Sequence, residues 1–111
     1  MTKSYAIGHL RSVNFGREIA EYLRRIDATL EPYGGRFLVH GMRHEALEGD
    51  WPGDLIIIEF PDRASAEAWY RSDAYQEILP LRTRNADGSV IVVDGNAADH
   101  RGADVLAALE A

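Results

Sequence analysis

Four consecutive aliphatics, Leu55-Ile56-Ile57-Ile58, constrain the fold of this chain more than any other feature. The run is far shorter than the roughly 20 apolar residues a membrane span needs. Side chains of a strand alternate between two faces, so an unbroken apolar run calls for cover on both. Asp54–Phe60 therefore reads as a central strand, and the rest of the chain has to be arranged around it.

Tyr5–Val13 carries β-formers, with Ile7, His9 and Arg11 on one face and Ala6, Gly8 and Leu10 on the other, and reads as the first strand. Asn14 can cap the following helix, in which Ile19, Tyr22, Leu23, Ile26 and Leu30 recur at helical spacing. Gly34-Gly35 stops that helix, because glycine takes the left-handed conformation without steric penalty. Arg36–Gly41 is a short second strand, and Met42–Gly53 a turn or extended excursion before the aliphatic strand. Pro61-Asp62 opens a second helix, with Asp62 as cap and Ala66, Trp69 and Tyr70 on one face. Ser72-Asp73 interrupts it and starts a further turn or two through Tyr75, Ile78 and Leu79, with Pro80 near the end. A turn at Ala86-Asp87-Gly88 leads to the last strand, Ser89–Asp94.

The order βαββαβ gives an α+β fold of ferredoxin-like type, a four-stranded antiparallel sheet with both helices on one face. Residues 1–95 form this domain, and 96–111 a tail whose Ala103–Glu110 either docks as a short helix on a neighbouring subunit or frays. The second sheet face carries aliphatics with no helix left to cover it, which predicts a homodimer through that open face.

Net charge is −6 with no basic stripe, which argues against nucleic acid as a partner. No run is long enough to cross a membrane, and Met1–Tyr5 lacks the apolar core of a signal peptide. The chain has no cysteine, so disulfides, thiolate metal sites and cysteine nucleophiles are excluded, and a cytoplasmic location is the expectation. A small neutral or anionic molecule, held by one or two arginines, remains open as a ligand.

Five spaced motifs carry a resemblance: Glu31-Pro32-Tyr33-Gly34-Gly35-Arg36-Phe37-Leu38, Leu47-Glu48-Gly49-Asp50-Trp51, Ile57-Ile58-Glu59-Phe60-Pro61, Ala66-Glu67-Ala68-Trp69-Tyr70, and Ser72-Asp73-Ala74-Tyr75 followed by Arg82. Together they resemble the DUF1330 family of small bacterial proteins, which has no agreed function. The resemblance implies a ferredoxin-like fold in the dimeric α/β-barrel superfamily. That superfamily also holds cofactor-independent monooxygenases, muconolactone-isomerase-like proteins and haem-handling proteins. Asp73-Ala74 stands where the family commonly has Pro-Glu, and Asn14-Phe15 where it has Asp-Pro.

Two residues are read as candidate catalytic groups, His9 and Glu59. His9 is the best-placed general base of the first strand or else a satisfied core or interface histidine. Glu59 closes an aliphatic strand, where a carboxylate needs a partner. It is either a structural pair for Arg36 or Arg82, or a ligand-facing group of raised pKa. Arg36 and Arg82 can instead fork onto a substrate carboxylate at a mouth between helices and sheet. With Glu48, Trp51 and Tyr75 they complete the candidate ligand-binding set, Trp51 as a pocket lid or dimer contact. His40 and His44 are four apart on extended chain, about 13 Å, and read as surface or turn histidines unless Gly41 folds the chain back. Neither a metal nor an organic cofactor is expected. No serine stands in a GxSxG elbow. Three functions stay open: an enzyme without a tightly bound cofactor, a ligand-binding or sensing dimer, and a purely structural dimer.

Overall fold

A computed structural model describes residues 2–110. Its elements are β1 (Ser4–Val13), α1 (Arg17–Leu30), β2 (Arg36–His40), β3 (Asp54–Phe60), α2 (Arg63–Arg71), α3 (Asp73–Thr83), β4 (Ala86–Asp94) and a short α4 (Val105–Leu109). The four strands form one antiparallel sheet in the order β2-β3-β1-β4, the ferredoxin-like arrangement expected from the element order. The aliphatic strand β3 is central, as its composition predicts, but α1, α2 and α3 cover only one of its faces.

Register fixes which residues share that face. Ala6 pairs with Ile58 and Val92, and Gly8 with Ile56 and Val90. These residues look toward the helices, whose Tyr22, Ile26, Leu30, Ala66, Trp69 and Ile78 complete the core. Burying such apolar surface contributes on the order of 25 cal/mol per Å², and it explains why α1 holds its place with no side-chain cap. Gly16, and not Asn14, occupies the cap position of α1. Asn14 instead donates its backbone N–H to the Asn85 carbonyl, tying the end of β1 to the start of β4.

The second helical segment is two helices. Asp62 caps α2 by accepting from the Ser65 N–H at 2.7 Å. Ser72 does the same for α3, accepting from the Tyr75 N–H at 3.2 Å while donating its hydroxyl to the Trp69 carbonyl at 2.7 Å. The new start redirects the chain, so that α3 runs 11 residues with Pro80 inside it. Proline lacks an N–H and cannot donate to the carbonyl four residues back, yet the segment continues to Thr83. The last strand begins three residues earlier than the glycine suggested, because Ala86-Asp87-Gly88 pairs with β1 and is not a turn.

Gly53 shows why the connection into β3 takes glycine. Its φ is +81°, and a Cβ there would lie 1.8 Å from the Leu10 carbonyl oxygen. No helix among the described residues is long and apolar enough to cross a membrane.

Candidate functional site

Between α1, α3 and the helix-side face of the sheet lies a cavity of about 350 Å³. That size falls in the usual range for small-molecule sites. Buried Ala6, Ile58, Trp69 and Tyr75 make its floor, while exposed Phe15, Leu23 and His40 stand at its mouth. Gly8 lines it from β1, and Val90 from β4. A glycine in the interior of a central strand forgoes packing, and it commonly marks a place where something approaches the backbone closely. A Cβ at Gly8 would meet nothing nearer than Ile56 at 3.7 Å, so the backbone does not demand glycine there.

The polar part of the cavity comes from three residues on two helices. Tyr22 of α1 and Tyr75 of α3 join hydroxyl to hydroxyl at 2.7 Å. Arg82, two turns beyond Tyr75 on the same face of α3, sets its guanidinium carbon 5.9 Å from the centroid of the Tyr22 ring. Arg82 is only 8% exposed. A cation in the last turn of a helix is favoured by the unpaired carbonyls there, and the aromatic face adds to it. Burial pushes the Tyr22 hydroxyl well above its usual range, with Tyr75 reinforcing the shift. Burial by itself would lower Arg82; the neighbouring Tyr75 and Tyr22 oxygens outweigh that and leave it raised. At neutral pH the cluster is therefore one cation and a neutral Tyr22 hydroxyl paired with Tyr75.

His40 and Asp54 are the other polar groups lining the cavity, and both belong to its outer end. His40 stacks flat on Phe37, 4.1 Å between centroids and 5° between planes. Asp54 starts β3, with its carboxyl carbon 3.9 Å from where a Cβ of Gly41 would stand. Gly41 does turn the chain, with φ +64°, but it does not bring His40 and His44 to one centre: His44 faces the Trp51 carbonyl at 3.3 Å. Among the described residues no cluster of three or more histidine or acidic side chains is placed to hold a metal ion.

Of the seven residues singled out in the sequence, the cavity gathers two, Tyr75 and Arg82. His9, Arg36 and Glu59 belong to the opposite, open face, where Tyr5 pairs with Glu59, His9 with Leu55, and Arg36 with Glu59. His9 stacks on Trp51 at 4.3 Å and bonds the Pro52 carbonyl at 2.7 Å. A carbonyl only accepts, so Nε2 is the donor of that bond. Glu59 is clamped by Lys3 at 3.1 Å and Arg36 at 3.0 Å, and those two hydrogen bonds hold its carboxyl below the usual range. That is the reverse of the raised pKa considered for a ligand-facing role, and the partner is Arg36 with Lys3, not Arg82. Glu48 stands exposed in the 42–53 loop.

Tyr22, Gly8, His40 and Asp54 were not picked out as site residues. A glycine inside a strand was the available signal for Gly8. Tyr22 hid in the apolar stripe of α1, because a tyrosine at helical spacing reads as core.

The family model of DUF1330, a domain of unknown function, matches residues 3–96. The chain belongs to the DUF1330 family. This DUF1330 domain also shares its fold with solved structures. The methylated RPA0582 protein, from Rhodopseudomonas palustris, superposes with a TM-score of 0.68 at 19% identity, over 89% of this chain and 84% of that one. A dimeric ferredoxin-like protein of unknown function from Jannaschia sp. CCS1 gives 0.54 at 15% identity, over 86% and 99% of the two chains. SnoaB, a cofactor-independent oxygenase from Streptomyces nogalater, gives 0.55 at 9% identity, over 90% and 97%. At such identities the likeness is one of fold. No curated protein sequence matches this DUF1330 domain.

Proposed function

We propose that this domain takes a small, largely apolar organic molecule into the cavity between its helices and its sheet and acts on it without a tightly bound cofactor. One observation carries the reading: an apolar cavity of about 350 Å³ whose inner wall holds a buried arginine beside two linked tyrosine hydroxyls. An arrangement that only stabilised the fold would fill that space with side chains, since interiors pack to near-crystalline density. The reaction class that fits is proton transfer in the substrate, isomerase-like, or its monooxygenase-like extension, in which the deprotonated substrate reduces dioxygen. Arg82 would hold developing negative charge, and His40 or Asp54 at the mouth would take the proton. The likeness to a cofactor-independent oxygenase supports this at the level of fold.

A second reading, a non-catalytic binding or sensing domain, is favoured by the exposure of His40, which stands in solvent at the mouth. In either case we place the working form as a homodimer in the cytoplasm, joined through the open sheet face. There Val39, Ile57, Ile7 and Ile91 form a continuous row across the strands. A dimeric ferredoxin-like protein among the similar structures supports that assembly. His9 and Glu59 then become interface groups and not catalytic ones, and Trp51 a dimer contact.

Filling the cavity tests the proposal. Gly8→Leu has room for its first carbon and projects the rest into the space, so it should fold with unchanged or higher melting temperature while abolishing binding of any ligand identified by thermal-shift screening. Turnover or oxygen uptake by the unmodified domain separates the enzyme from the binder. Undiminished binding in Gly8→Leu would remove the cavity from consideration.

A further inference from the structure

We infer that the ligand of this cavity is an organic monocarboxylic acid, its carboxylate seated on Arg82 beside the Tyr22–Tyr75 pair and its apolar body lying along Gly8. The inference rests on the cavity reading and narrows it to a chemical class.

Three features of the wall point to a carboxylate. The first is charge. The ion pairs among the described residues engage other arginines, including Arg36 and Arg84, and none includes Arg82. A buried cation is costly without a counter-charge, and Tyr22, held neutral, does not supply one. The second is the donor inventory. The Tyr22 and Tyr75 oxygens are the hydrogen-bond partners that raise Arg82, and they can engage only part of its five N–H donors. Arg82 therefore lines the cavity with donors to spare. Of the two tyrosine hydrogens only one is used in the 2.7 Å hydroxyl pair, which leaves one O–H free to donate. The inner wall thus offers a planar guanidinium fork and a spare hydroxyl proton. A carboxylate has two acceptor oxygens and no donor, and it matches that set.

The third feature is what the wall lacks. A phosphate or dicarboxylate brings more charge than one cation can balance, and among the described residues Arg82 is the sole Lys or Arg lining the cavity. The remaining lining near the floor, Ala6, Ile26, Ile56 and Ile58 among it, is aliphatic and suits an unsubstituted chain or ring.

Matched pairs provide the test. Straight-chain acids from butanoate to decanoate and 3-phenylpropanoate, each against its primary amide, are titrated calorimetrically into the full chain. Each pair keeps the body and changes only the head group. At least one acid should bind tenfold or more tightly than its amide. Arg82→Gln should bring acid and amide within about twofold, and Arg82→Lys should retain part of the preference. Because either hydroxyl can donate alone, the double change Tyr22→Phe with Tyr75→Phe should weaken the acid several-fold with its amide little changed. Because Arg82→Gln removes a buried side chain, its fold is checked by circular dichroism; if it does not fold, Arg82→Lys and the double phenylalanine variant carry the comparison. No acid binding more tightly than its amide overturns the inference, and binding of amide and acid alike overturns it while leaving the cavity reading intact. Acid binding that persists in Gly8→Leu puts the acid outside the cavity and overturns both.

Discussion

Thr29 joins two helices through a single oxygen. Its hydroxyl donates to the Ile26 carbonyl at 2.6 Å and accepts from the Trp69 indole N–H at 2.9 Å, all within the core. Trp69 is nearly fully buried and packs on Phe60 and Tyr75, so its N–H has no water to turn to. Thr29→Val keeps the shape and removes the acceptor. It should cost about 1–3 kcal/mol of unfolding free energy in urea, whereas Thr29→Ser should stay close to the parent. If valine proves neutral, the indole has another partner. The same residue-scale logic explains why Glu59 misleads on paper. A carboxylate in an aliphatic strand does need an explanation, and two cations on the open face supply it.

The two caps that divide the second helical segment differ in one useful respect: Asp62 titrates and Ser72 does not. Ser72→Ala should cost about 1 kcal/mol at any pH, the usual worth of a cap. The hydrogen bonds from Ser65 hold the Asp62 carboxyl below its ordinary range. A depressed carboxylate lends stability that is complete above its unfolded pKa and disappears as pH falls through the folded one. Asp62→Ala should therefore be destabilising at pH 7 and lose that penalty progressively below about pH 4. Urea melts of both variants at pH 7 and pH 3 check this; parallel losses at both values would show that Asp62 acts through something other than its charge. Element by element, the chain was readable wherever periodicity and punctuation agreed, as for α1, β3 and the Ser72 break. It was unreadable where a residue's face decides its role. Because β3 is aliphatic on both sides, nothing in its sequence says which side meets the helices, and a place at the start of β2 does not reveal that Arg36 shares the open side with Glu59. Gly88 reads as a turn former, but in β4 it faces Leu10, and a Cβ there would come within 2.8 Å of the His9 carbonyl oxygen.

At the scale of the whole molecule, the question is what covers the open face. Ile91 lies in the middle of β4 and is 56% exposed, beside Ile7 in the register. A charge there should split a dimer without disturbing the core on the other side. Ile91→Asp should run as a monomer in light scattering with an unchanged circular dichroism spectrum, while the parent runs as a dimer. A monomeric parent, or a dimeric variant, would refute an assembly through this face.

Strand β1 pairs on both of its edges and sits between the cavity and the open face. Up to Leu10, its even-numbered residues, Ala6 and Gly8 among them, belong to the cavity side, and its odd-numbered ones, Ile7 and His9, to the other. That parity binds the two sides together. Inserting or deleting one residue near the start of β1 would send Gly8 outward and His9 into the cavity in the same move. Substitution can retune each face separately, but any change in the length of this strand must rewrite both at once.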